Sequence, residues 1–150
     1  MVATHSQPSP LARQLGYAGL APFVLLATLL WIVRVEQQSG VMMALLSYAA
    51  LIASFLGGLH WGIAGKLAAR EAGFHYAWGV APSLLGWAAI LVSARAGLLL
   101  AALTLAACYA VDLRTYPRVG WHDWLGMRLT LTVVATLSCV LGAVSLFAVV

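Results

Sequence analysis

Uncharged apolar runs follow one another through almost the whole chain, and this restricts its possible folds more than any motif does. The 150 residues hold eight Lys and Arg and four Asp and Glu, and these sit mostly between the runs. A membrane-spanning helix needs about 20 mostly apolar residues to cross roughly 30 Å of hydrocarbon. Backbone groups in lipid have to bond within their own segment, so runs this long read as helices. The sequence therefore predicts an all-α, polytopic membrane protein: a five-helix transmembrane bundle forming one domain over 14–150. Residues 1–13 read as a short disordered lead-in, and the apolar stretch after them is too long for a cleaved signal peptide.

The expected spans are 14–33, 41–65, 74–93, 96–111 and 128–150. The fourth is short, about 24 Å at about 1.5 Å per residue, with Arg95 and Asp112 at its ends. A tight reversal over 93–97 separates it from the third. With five passes, one side of the membrane carries Arg13, Lys66, Arg70, Arg114, Arg118 and Arg128, leaving Arg34 and Arg95 for the other. Basic residues in short loops stay inside, so the N-terminus is expected in the cytoplasm and the C-terminus outside. The net charge of +4 is then a topology signal spread along a membrane face, and no nucleic acid is expected as a partner. Cys108 and Cys139 differ in expected depth by roughly 10 Å, too far for a disulfide, and read as free buried thiols.

The second span carries small residues every fourth position: Ala50, Ser54, Gly58 and Gly62, with Gly57 alongside. Small residues let helix backbones approach closely, and close packing drives helix association in lipid. The stripe reads first as packing within the bundle, with Ser54, Gly57, Gly58, Gly62 and Pro82 as packing positions. A seam toward a second copy or another membrane protein is the alternative. Pro22 and Pro82 each remove a helical donor, freeing the carbonyls of Ala18 and Trp78.

His60 sits on the same span, and an ionisable side chain at such depth is a functional hypothesis. Asp112, Arg128, Tyr109 and Tyr76 are expected in the same leaflet, giving a candidate polar cluster of these five residues. In the architectural reading, His60 donates to a freed carbonyl and Asp112 pairs with Arg128 or Arg114 at the headgroup boundary. In the binding reading, the cluster lines a pocket open to the cytoplasm, where His60 binds a ligand or relays a proton. Trp121 and Trp124, between the fourth and fifth spans, read as interfacial anchors in contact with membrane lipid. No HExxH, CxxC, GxSxG or phosphate-binding glycine loop occurs, so no reaction, metal or cofactor is expected.

The run Ser54-Phe55-Leu56-Gly57-Gly58-Leu59-His60-Trp61-Gly62 resembles a signature of the transmembrane protein 69-like family. Gly16-Tyr17-Ala18-Gly19-Leu20 before Pro22, Pro82 before Trp87, Asp112 and Arg128 are similar to it as well. The resemblance covers about residues 14–148. It implies a five-helix protein of the bacterial inner membrane, kin to a mitochondrial membrane protein, and carries no activity. It points to Gly57, Gly58, His60, Trp61, Pro82, Trp87, Asp112 and Arg128 as positions to test. The combined expectation is a non-catalytic accessory or assembly-type membrane protein that packs against a partner. The alternative is a small-molecule binding or transport module built around His60.

Overall fold

The computed structural model describes residues 7–145, and these are helical throughout apart from short links. The order is α1 (Pro10–Ala18), α2 (Ala21–Leu29), α3 (Val35–Ala64), α4 (Ala69–Leu91) and α5 (Ala94–Thr115). Two short 3-10 turns follow, Tyr116–Val119 and His122–Trp124, and then α6 (Leu125–Ser145). Among the described residues, three segments are long and apolar enough to cross a membrane: Val35–Ala64, Ala94–Val119 and His122–Ser145. The 23 residues of α4 reach about 35 Å, but Arg70, Glu71 and His75 make that helix less apolar. Large apolar side chains such as Leu51, Phe55, Leu84, Trp87 and Leu103 point outward from the bundle. An outer surface of this kind belongs in lipid.

The first expected span, 14–33, is not one helix. It is split into α1 and α2, nine residues each, and neither alone is long enough to cross. Pro22 supplies no N–H to the Ala18 carbonyl, and the helix breaks there. Tyr48 of α3 donates its hydroxyl to the Gly19 carbonyl at 2.8 Å, bonding a backbone group at the break. Helix α1 also begins earlier than expected, at Pro10, because Ser9 caps it by accepting from the Ala12 amide.

Other boundaries shift for identifiable reasons. Helix α3 starts at Val35 rather than 41. Glu36 suits the positive pole of its first turn, and Gln38 turns inward to donate to the Leu30 carbonyl at 3.2 Å. Helix α4 starts at Ala69 rather than 74, with Arg70 and Glu71 in its first turn. Helix α5 is not short: its 22 residues cover about 33 Å and carry it past Asp112. Pro117 then opens the first 3-10 turn, which Gly120 closes with φ of 76°, a left-handed conformation natural to glycine. The reversal between α4 and α5 is tight but falls at 92–93 rather than 93–97, because Ser93 caps α5 and residues 94–97 already belong to that helix. Helix α6 begins at Leu125, and the end of the expected fifth span lies outside the described residues.

The closest packing joins α3 and α4. A Cβ at Gly57 would collide with the Gly79 carbonyl, and one at Gly86 would press on Ala50. Ser54 and Ser83 share a hydrogen bond of 2.8 Å within the same interface. Pro82 stays inside an unbroken α4, near Gly57. The small-residue stripe of α3 is nevertheless not wholly internal. Four residues advance a helix by about 400°, so a four-residue repeat drifts about 40° per step. The stripe begins against α4 at Ala50 and Ser54 and ends on the outer surface. There Gly58 and Gly62 are exposed, with nothing within 4 Å of an added Cβ.

Candidate functional site

Four helices each send one ionisable side chain to a buried point near the end where α3 turns into α4. His60 comes from α3, His75 from α4, Asp112 from α5 and Arg128 from α6. Their exposures are 2%, 7%, 3% and 6%. They form a continuous line. His75 Nδ1 meets His60 Nδ1 at 2.9 Å, and His60 Nε2 meets Asp112 Oδ1 at 3.3 Å. Arg128 donates from Nε and Nη2 to Asp112 Oδ2 at 2.8 and 2.6 Å.

With both imidazoles neutral, the direction of the line follows from which atoms can donate. A carboxylate only accepts, so the His60 Nε2 facing Asp112 carries a proton. In a neutral ring His60 Nδ1 is then an acceptor, and the proton in the imidazole pair belongs to His75 Nδ1. The line thus runs His75 → His60 → Asp112, with Arg128 donating to the far carboxylate oxygen. His75 Nε2 is left as a lone-pair acceptor with no hydrogen bond among the described residues. Asp112 and Arg128 cancel each other's charge, as a low-dielectric interior requires.

The expected cluster is therefore partly assembled. His60, Asp112 and Arg128 come together as expected. Asp112 is buried inside the bundle, where Arg128 and His60 satisfy it and Arg114 does not take part. His60 bonds side chains rather than a freed backbone carbonyl. Tyr76 does not join: its exposed ring packs edge-on against Trp61, whose Nε1 donates to the Tyr76 carbonyl at 3.2 Å. Tyr109 is half-buried and makes no hydrogen bond among the described residues. Two members stand outside the expected five: His75, which opens the third expected span in the same leaflet as His60, and the buried Tyr116, whose hydroxyl lies within reach of the Arg128 guanidinium.

Trp121 and Trp124 pack against the bundle rather than simply facing outward. Trp121 lies edge-on to Tyr116, and Lys66 Nζ sits 5.8 Å from its ring centre. Trp124 buries its Nε1, which has no hydrogen-bond partner among the described residues. Cys108 and Cys139 are free and buried. No group of three or more His, Cys, Asp or Glu placed to hold a metal occurs among the described residues.

Beside the line of ionisable groups lies a cavity of about 420 Å³ between α1, α2, α3, α5 and α6. Leu15, Phe23, Leu56 and Leu131 contribute to its apolar walls, and Tyr116, Trp124, Arg128 and Thr132 also line it. Arg128 is thus shared between the ionic line and the cavity.

An apolar exterior, three membrane-length helices and a buried, charge-neutral polar line define a helical integral membrane protein. The chain belongs to the family described as "Protein of unknown function (DUF3429)", whose profile matches residues 8–144. It is also 37% identical over 145 residues to Transmembrane protein 69 of Xenopus tropicalis, a match covering 92% of this chain and 55% of the relative. The chain thus spans about half the length of that relative. No solved structure matches it.

Proposed function

We propose that the protein crosses the membrane five times, with α1 and α2 together making one broken pass. In this reading the N-terminus is cytoplasmic, the C-terminus is outside and the host is a bacterial inner membrane. The protein acts without catalysis, packing against a partner helix through the outer face of α3. One observation carries the reading: Gly58 and Gly62 are exposed one turn apart, with open space where side chains would be, beside the exposed Phe55 and Leu51. Such a pair gives a second helix close access to backbone. The kinship with a mitochondrial membrane protein that the sequence resemblance implies is the ground for placing the partner in an energy-transducing complex. That step is fold-level analogy.

The test is purification of the full chain in mild detergent. The wild type is expected to elute with a second copy or another membrane chain. Gly58→Ile with Gly62→Ile should abolish this while leaving helicity intact, since neither side chain meets protein within the bundle. A wild-type protein that elutes at its monomer mass, with nothing attached, overturns the reading.

A second reading, a small-molecule binding module, is favoured by a different observation. Arg128, fixed by Asp112, also lines the 420 Å³ cavity, which falls in the size range of small-ligand sites. The pocket borders the ionic line at Arg128 rather than surrounding His60. Saturable binding of a membrane-soluble compound, weakened when the cavity wall is altered, is the corresponding measurement.

A further inference from the structure

Resting on the binding reading, we infer that the cavity accepts a neutral amphiphile, a carbonyl-bearing head on a hydrocarbon body. Apart from the Tyr116 phenol, which lies within reach of the Arg128 guanidinium, its polar side chains follow one line along α6 and the turn before it. Trp124, Arg128 and Thr132 recur at four-residue spacing and all face the cavity. Trp124 Nε1 is buried without a partner among the described residues. Thr132 also makes no hydrogen bond there, and its hydroxyl is not fully enclosed as the Trp124 Nε1 is; the fully enclosed, unpartnered hydroxyl of α6 is Thr136, which does not line the cavity. Thr132 differs in this from Thr104, Thr115, Thr130 and Ser138, which all donate to the carbonyl one turn back. Buried polar groups of this kind ordinarily find partners.

The donor set selects the ligand's chemistry. An indole N–H and a guanidinium only donate, and a hydroxyl can donate, so the bound head must present acceptor oxygens. The Arg128 charge is already balanced by the two contacts to Asp112. A second anion would enter a low-dielectric site with no free positive charge to meet it, which disfavours carboxylates and phosphates. A carbonyl oxygen needs only the hydrogen bonds. Apart from Tyr116, the remaining walls, from α1, α2, α3, α5 and the rest of α6, are apolar and suit an aliphatic body. In a membrane this chemistry has two sources, the acyl ester of a bilayer lipid and a lipid-soluble quinone.

The experiment titrates full-length protein in detergent micelles with three probes: decylubiquinone, diheptanoyl phosphatidylcholine and decanoate. Saturable rise of the thermal unfolding midpoint is the readout, since a ligand that binds the folded state stabilises it by mass action. Thr132→Val, a near-isosteric change, and Trp124→Phe are titrated alongside. The expected result is saturation by the quinone or the ester, with the apparent Kd raised about tenfold in each variant, as loss of one hydrogen bond implies. Which probe saturates identifies the source. Saturation by decanoate alone would leave the binding reading standing and overturn the neutral-carbonyl inference. Binding unaffected by both variants would overturn the assignment to this cavity. Saturation by none of the probes would count against the inference, and the binding reading itself would fall if a wider set of membrane-soluble compounds also gave none.

Discussion

Asp112 and Arg128 meet at 2.6 Å with each charge on the less favourable pole of its own helix. Asp112 lies in the last turn of α5, where the helix dipole is negative, and Arg128 in the first turn of α6, where it is positive. Neither position suits its charge locally. The pair exists because the two helices are neighbours, and each residue removes the penalty of the other.

That arrangement sets an expectation for mutation. Asp112→Leu leaves Arg128 buried without a counter-charge and is expected to cost about 3–5 kcal/mol of stability. Arg128→Met does the same to Asp112. The double variant should recover most of the loss, because a buried ion pair contributes little beyond its own desolvation. Thermal or denaturant unfolding of the three variants in detergent decides this. Additive losses in the double variant would show that the two residues act separately.

The histidine pair makes a spectroscopic prediction. The line of donors requires His60 protonated on Nε2 and His75 protonated on Nδ1. Nitrogen-15 spectra of histidine-labelled protein should therefore show two neutral rings of opposite tautomer. Finding His60 protonated on Nδ1 would reverse the proton's direction and set two acceptors face to face at Asp112. His60→Ala should also cost more than His75→Ala. Loss of His60 removes a partner from both neighbours, at about 1–3 kcal/mol for each buried group left unsatisfied. Loss of His75 removes a partner from one.

Much of this site was legible in the sequence, though not all of it. His60, Asp112 and Arg128 break apolar runs at similar expected depth, which brings them within reach; that they meet depends also on which way each helix face turns. His75 could have been found by the same logic. In an antiparallel helical hairpin, residues equally far from the turn lie at equal depth. His60 and His75 flank the α3–α4 turn at comparable distances, as do Gly57 and Gly79. Tyr116 was hidden because it stands past the end of α5, where a 3-10 turn and not helical periodicity decides its direction. Tyr76 was misplaced because neighbouring helix positions point about 100° apart, so His75 turns inward and Tyr76 outward. The break between α1 and α2 was foreshadowed by Pro22. Its consequence depends on Tyr48, a residue on another helix.

Adjacent glycines of α3 provide the sharpest test of how the helices are stacked. Gly57 faces α4, where an added methyl would strike the Gly79 carbonyl, a backbone atom that cannot turn aside. Gly58, one residue on, has open space around it. Gly57→Ala should therefore force α3 and α4 apart and lower stability by about 1–3 kcal/mol, the usual cost of overpacking. Gly58→Ala meets no protein and should instead gain up to about 1 kcal/mol, since alanine is the better helix former. Both substitutions add one methyl group to the same helix, so a difference in sign can arise only from what each face touches. Unfolding midpoints in the same detergent measure that difference. Equal effects from the two would mean that α3 is rotated from the orientation described, and with it the inward placement of His60.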